Sequence, residues 1–464
     1  MYDPDTLQGN ILRGYRRDLV RHLILEITDR GAARRFLAAA LLGDDRQVPG
    51  ITRESTWHAK PASCFNIGLT YEGLKALGTP PEHLASFPTE FTEGMTKRAP
   101  KLGDFGDSAP AHWPAPFDQP ERVHIIASIY ADASAELDRV QAQVARAFAV
   151  LGVRDGRGLP EGAVFFGYKD SITQPRFSSQ NNPQTSEVYE PLDPLGTALL
   201  GYATRMEDIL FRVPTPDVLG NGGTFNAFRI LSQDVAGFEA YLDRTATEVM
   251  AHPKSDLLLP PGEEPMIGKG LTRHAALREI VAAQFMGRWR NGVPLELAPH
   301  SPNPDPAVSL TAFNYSHGAK CPAGAHIRRT NPRGGPIVQR IAHYTRRLVR
   351  RGMSYGPDFD AANPDNRERG LLGNFIGASL GAQFEAVMCD WLNLGLQDPD
   401  ITSSNDPLIG ANVPENSWFD LMLRDGDSIR LRGIPRFVTT RGGAYAFLPS
   451  LPAIRYLSQL TDRT

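Results

Sequence analysis

An apolar β run followed within a few residues by a helix-forming stretch recurs along this chain, and that rhythm restricts its fold more than any other feature. Leu23 to Ile27 reads as a strand and Gly31 to Leu42 as a helix. Cys64 to Thr70 reads as a strand, followed by a short helix from Tyr71 to Leu77. Pro80 to Phe117 is rich in Pro, Gly and Asp and reads as a loop region. Val123 to Tyr130 is strongly β-forming, and Ser134 to Val150 follows as an amphipathic helix with Leu137, Val140, Val144 and Phe148 on one side. After a loop from about Ser178 to Gly223 the rhythm returns. Thr224 to Leu231 and Phe375 to Leu380 read as strands. Val235 to Val249, His274 to Phe285 and Gln383 to Leu394 read as helices, and the strands Ile429 to Arg432 and Gly443 to Leu448 precede a closing helix at Ala453 to Leu460. Helices spaced to lie on a sheet are compatible with an α+β fold of two antiparallel halves.

At 464 residues the chain is too long for one ordinary core, so two units or a duplicated one are expected. A net charge of −3 gives no electrostatic footprint for nucleic acid. The three cysteines, Cys64, Cys321 and Cys389, are odd in number and far apart, which argues against a disulfide framework or a cysteine zinc cluster. The first residues lack an apolar signal core and no run of about 18 apolar residues suggests a membrane span, so a cytoplasmic protein is expected.

Two stretches carry chemistry. From Cys321 to Pro357, small residues (Ala323, Gly324, Ala325) precede His326 and a dense basic run follows. A flat cofactor can approach such a backbone, and a neutral imidazole suits iron. The downstream arginines could serve anionic carboxylates or a developing negative charge. His326 as a hydrogen-bonded structural residue, and the basic run as a solvated face, are the plain alternatives. The second stretch is Phe165 to Pro175, where Gly167 and Pro175 bracket a loop with a single carboxylate, Asp170. That residue is either a turn-forming Asp or a general base held beside a cofactor.

Together these stretches resemble the dye-decolorizing peroxidase family of heme enzymes. The family's distal loop has the form Gly-x-x-Asp-Gly followed by Gln-Pro. Gly167, Asp170, Gln174 and Pro175 match it, and Ser171 departs from it. The proximal form, Cys-Pro-x-x-Ala-His-x-Arg-x-Thr-Asn-Pro-Arg, matches Cys321 to Arg333. Further similar pieces, in the expected order, are Leu7 to Tyr15, Gly223 to Val235, Gly287 to Leu295, Arg350 to Pro357, Arg369 to Leu372 and Arg441 to Ser450. The resemblance spans nearly the whole chain and is to the longer subclass.

The resemblance implies two ferredoxin-like halves, set here at 1–190 with the Asp loop and 191–464 with the heme ligand. It also implies heme b, and hydrogen-peroxide-dependent oxidation of dyes, phenols and similar small aromatic reductants. His326 matches the axial iron ligand. The acceptor for its other ring nitrogen is not evident, and Glu385 and Asp390 are the candidates. Asp170 matches the distal proton carrier, and an ordinary carboxyl pKa then implies an acidic optimum. Arg350 matches the distal arginine. Its neighbour Arg351 would face the opposite side if the segment is a strand, although Ile337, Ile341, Tyr344 and Leu348 also fit one helical face. Arg328, Thr330, Asn331 and Arg333 could contact heme propionates or cap and brace the loop, with Arg328 and Arg333 the candidates for the propionates. Trp289 is expected in the core.

Two departures stand out. Ser171 has a Cβ that is accommodated at negative φ and otherwise costs about 1–2 kcal/mol. Leu372-Gly373-Asn374 lacks a bulky aromatic, which implies a larger pocket. Ser171 keeps a second reading open, a heme carrier or sensor of the same fold with weak activity. A third reading, a cofactor-free partner such as cargo of a protein shell, is disfavoured because no long tail follows the last helix. The oligomeric state and the physiological reductant are open.

Overall fold

The computed structural model describes residues 2–43, 47–178, 189, 191–206, 209–316, 320–338 and 343–461. Among the described residues there are eleven strands, β1 (Leu19–Glu26), β2 (Ser63–Leu69), β3 (Ile125–Ala131), β4 (Ala149–Arg157), β5 (Thr224–Gln233), β6 (Val349–Arg350), β7 (Met353–Tyr355), β8 (Gly370–Gly377), β9 (Trp418–Met422), β10 (Ser428–Arg432) and β11 (Val438–Leu448). β9 and β10 form a separate ribbon.

The other strands form one antiparallel sheet in the order β5-β11-β2-β3-β1-β4-β7-β8-β6, and β5 also pairs with β8. That extra pairing closes the sheet into a barrel, which removes the open edges that invite aggregation. The barrel contains the two expected antiparallel units. In the first, β2-β3-β1-β4 gives the strand order of a ferredoxin-like unit. In the second, β11-β5-β8 pairs with the short β6 and β7. The seams between them are narrow: one pair, Phe447 with Leu69, on one side, and one pair, Arg157 with Ser354, on the other. The boundary expected at 190/191 touches Glu190, which lies outside the described residues.

Helices cover the barrel. Arg30–Ala40 starts on Asp29, whose carboxylate accepts the Ala32 N–H and satisfies one free donor of the first turn. It packs on the C-terminal helix Leu451–Ser458. Helices Val235–Met250 and Arg273–Met286 pack on each other beyond the second unit. β3 is buried along its whole length, as expected for a strand covered on both faces.

Three elements differ from the sequence expectation. The Pro/Gly-rich segment after Pro80 contains a helix, Thr89–Leu102, which tolerates Gly94 at φ 75° as a kink and Pro100 within it. The helix expected over Ser134 to Val150 ends at Val144, and the chain turns into β4, whose Gly152, Asp155 and Gly156 had hidden the strand pattern. The segment from Leu380 to Asn393 winds as wide π-helical turns rather than an ordinary α-helix. Between 343 and 350 the described residues form turns and then β6, not a helix; Ile341 lies outside them. No helix among the described residues is long and apolar enough to cross a membrane.

Candidate active site

The barrel's second unit positions a cavity of about 340 Å3 between β5, β8 and the elements facing them. His326, Asp170, Ser171, Arg333 and Arg350 all line it, with Thr330 and Asn331. Apolar walls come from Leu231, Phe375, Phe384, Val387, Leu392 and Ile409.

His326 opens a short helix, His326–Thr330, with Ala325 before it in extended conformation. Its Nδ1 lies 3.0 Å from Oδ2 of Asp406. Asp406 is fully buried, and its Oδ1 accepts the N–H groups of Leu408 and Ile409 at 2.9 Å each. Burial alone would raise this carboxyl's pKa. The His326 ring, the Arg329 guanidinium and the Ile409 N–H outweigh it and hold the pKa below the usual carboxylate value. An ionised Asp406 accepts the proton of Nδ1, and in a neutral ring that leaves the Nε2 lone pair for the cavity. Glu385 and Asp390 are therefore not the acceptor. Glu385 is buried against Arg98 (2.6 Å) and the Tyr445 hydroxyl (3.0 Å), and Asp390 pairs with Arg346 at 2.9 Å. Asp406 follows His326 by 80 residues and belongs to no motif; a buried acid partner for a ligating histidine is the only signal that could have prompted a search for it.

The distal loop is pinned from both sides. The Lys169 N–H donates to the Arg290 carbonyl and the Asp170 N–H to the Gly162 carbonyl, both at 2.8 Å. Tyr168 is buried and donates its hydroxyl to the Ala282 carbonyl at 2.7 Å. Gly167 takes φ 80°, and a Cβ there would lie 2.4 Å from an Arg290 nitrogen. Ser171 follows at φ 58°, in the left-handed region where a Cβ is strained. The serine has thus kept the backbone conformation a glycine would favour.

Arg350 ends β6. Its backbone exchanges two 3.0 Å bonds with the Gln174 side chain, so the amide acts as a substitute strand. Its guanidinium donates to the Thr173 carbonyl. Burial lowers the guanidinium pKa, and the nearby charge of Asp170 opposes that. Arg351 points to the other side, as the strand alternation requires, and its guanidinium braces the carbonyls of Asn10 and Leu12 at 2.9 Å. Arg333, at φ 42°, lies over the Phe313 ring and donates to Thr173 Oγ1 at 3.2 Å. Arg328 is not among the residues that line the cavity. It donates to the Cys321 carbonyl at 2.6 Å and lies 3.6 Å from Asp398, because two residues along a helix turn it away from His326. Trp289 is core, with its indole N–H on the Ala298 carbonyl at 2.8 Å. Gly373 does not enlarge the pocket. The Phe375 ring lies where a Cβ on Gly373 would be, 2.5 Å away, and supplies the bulk.

These residues fit a flat, iron-bearing, dianionic group. One imidazole nitrogen is committed and the other is available, the walls are apolar, and buried donors have no hydrogen-bond partner. Arg229 Nε and Nη1 and Arg346 Nε are such donors on side chains that line the cavity.

Residues 6–152 match the family described as the DyP dimeric alpha+beta barrel domain. The whole chain is 30% identical to a multifunctional dye peroxidase of an Amycolatopsis species, covering 98% of this chain and 95% of that one. It is 26% identical to a dye-decolorizing peroxidase of Exidia glandulosa, over 97% of this chain and 86% of that one. Among solved structures it is similar to a dye-decolorizing peroxidase in complex with 2,6-dimethoxyphenol, with a TM-score of 0.79, 26% identity and coverage of 99% and 100%. A fungal enzyme from Auricularia auricula-judae also has a TM-score of 0.79, at 25% identity and 99% coverage of both chains. With its barrel, its cavity and a full-length relative at that identity, this chain belongs to the dye-decolorizing peroxidase family and is an enzyme of that type.

Proposed function

We propose that the cavity would hold heme b through His326, and that Asp170 and Arg350 would act on hydrogen peroxide in the same cavity. The observation that carries this is the His326–Asp406 bond of 3.0 Å, which leaves one basic nitrogen directed to a cavity that Asp170 and Arg350 also line. When bound, heme supplies the iron centre that accepts oxidising equivalents from peroxide and returns them to an aromatic reductant. Asp170 takes the proton from the near oxygen of peroxide and delivers it to the leaving oxygen. Arg350 stabilises the negative charge that grows on that leaving oxygen as the O–O bond breaks. Asp406 keeps His326 in the tautomer that presents Nε2 and raises its donor strength. Arg333 and the unpartnered nitrogens of Arg346 and Arg229 are suited to the carboxylates of the cofactor. The reductants proposed are phenols and dyes, in line with the phenol named for the solved relative.

The experiment is the rate at which peroxide changes the heme spectrum, measured by stopped flow below and above neutral pH. Asp170→Asn should slow it by about 10²–10⁴-fold, the usual worth of a positioned proton carrier. A rate unchanged by that substitution contradicts the assignment. The carrier reading rests on Ser171. The positive φ there is strain, but the backbone bonds of Lys169 and Asp170 hold the loop in place, which favours the enzyme.

A further inference from the structure

The two adjacent arginines after His326 go different ways. Arg328 faces Asp398, whereas Arg329 turns inward and is 1% exposed. The Arg329 guanidinium forks across three separate stretches of chain. Nε donates to the Gly324 carbonyl at 2.9 Å, and Nη1 donates to the carbonyls of Trp391 at 3.1 Å and Ser404 at 3.0 Å. Nη2 donates to the Ser404 hydroxyl, which in turn donates to the Ile401 carbonyl at 2.6 Å.

These anchors surround the proximal pair. Gly324 lies two residues before His326, and Ser404 lies two residues before Asp406. The Asp406 N–H donates to the carbonyl of Leu392, the neighbour of Trp391, at 2.6 Å. The turn that leads to Asp406 is shaped around the guanidinium. Gly395 takes φ 62°, and a Cβ there would lie 3.3 Å from Nη1 of Arg329.

Every one of these acceptors is neutral, and among the described residues Arg329 enters no ion pair. A buried cation without a counter-ion is costly, and a neutral donor could bridge such oxygens at less cost. Burial lowers the guanidinium pKa to about 10, which leaves it charged at neutral pH, and the carboxylate that most opposes this lowering is Asp406.

We propose that Arg329 is a positioning residue for the axial ligand and acts through Asp406. Its fork fixes the Asp406 turn against the start of the His326 helix. Its charge competes with the His326 ring for the electron density of the carboxylate, so Nε2 is a weaker donor than the His326–Asp406 pair alone would make it. Iron bound there is thereby held at a higher reduction potential. This inference rests on the heme reading of the cavity.

Three substitutions separate the charge from the fork. Arg329→Lys keeps the charge and loses the fork. Arg329→Gln loses the charge, and Arg329→Met, an apolar chain of similar reach, takes its place should the glutamine variant not fold. Each full-length protein is titrated with heme. Its midpoint potential is then read by spectroelectrochemistry at neutral pH, and its iron–histidine stretching band by resonance Raman. Loss of the charge should shift the ratio of ferric to ferrous protein about tenfold toward ferric at a fixed applied potential, which is about 59 mV for a one-electron couple, and should raise the stretching frequency. The lysine variant should stay near the parent. A bracing role alone would move both variants alike. A charge-free variant with the parent's potential, or lysine and glutamine variants shifted equally, overturns the proposal. Failure of the parent chain itself to take up heme would contradict the cofactor reading, and the inference would fall with it.

Discussion

The two sides of the cofactor cavity are built by opposite means. On the proximal side, His326 is held by a buried acid that is itself held by two backbone N–H groups, and Arg329 beside it is buried and bonded to the carbonyls of Gly324, Trp391 and Ser404. On the distal side, Asp170 sits on a loop with positive φ at Gly167 and Ser171, pinned through its backbone while its carboxylate faces the cavity. The proximal histidine is redundantly bonded through side chains; the distal loop is held through its backbone and carries strain at Ser171, as Arg333 does beyond His326. The contrast fits the roles proposed for His326 and Asp170. A ligand must stay in one tautomer, whereas a proton carrier must be exposed to its substrate.

That contrast is broken most strongly at Arg350. Arg350→Leu should lower the rate of peroxide reaction by about 10²–10³-fold, the scale for losing one preorganised charge at a developing oxyanion, while heme uptake is unchanged. Stopped-flow absorbance checks it; an unchanged rate would place the catalytic cation elsewhere. Asp406→Asn should weaken heme binding by about 10–100-fold, the usual cost of losing the partner of a metal-bound histidine, as read by heme titration. If affinity holds, the proximal side is not braced as described.

Ser171→Gly sharpens the comparison from the distal side. Relief of the left-handed strain is worth about 1–2 kcal/mol, and the greater freedom of glycine in the unfolded chain returns about 0.4–1 kcal/mol. Thermal melting should show a net gain of between about 0 and about 1.6 kcal/mol, with the peroxide rate kept. A loss of stability would mean that the Ser171 side chain contributes a contact that outweighs its strain.

The smallest effect concerns pH. Burial pushes the Glu54 carboxyl from 4.5 up to about 7, against the facing charges of Arg13 and Arg351, with the Arg13 N–H as donor and the Tyr15 ring nearby. Between those two values the folded protein keeps a proton that the unfolded chain has lost. Stability should therefore fall as pH rises through that window, and the cost is complete above about 7. Glu54→Gln should flatten this part of the melting-temperature profile. An identical slope in the variant would assign the dependence to other groups.

Much of this architecture was legible in the sequence, for identifiable reasons. Long apolar runs such as Ile125–Ala131 have only one way to be buried, so the main strands were readable. His326 and Asp170 sit in local motifs, and local motifs survive in one dimension. What was hidden depends on distant chain segments. Asp406 meets His326 across 80 residues with no fixed spacing. The closure of the barrel rests on β5 pairing with β8, which no periodicity encodes. β4 and the helix Thr89–Leu102 were masked by glycine and proline, because tertiary packing overrides local propensity there. The Phe375 ring filling the space above Gly373 is a rotamer outcome, and single-residue reading took the glycine for a void.

The most direct test of the central claim is a heme titration of the protein and of His326→Ala, followed in the Soret region. A strong band in the parent protein that is lost or greatly weakened in the variant is the expected result. The same band, with the same affinity, in both proteins would contradict the assignment of His326 and of the cavity it lines.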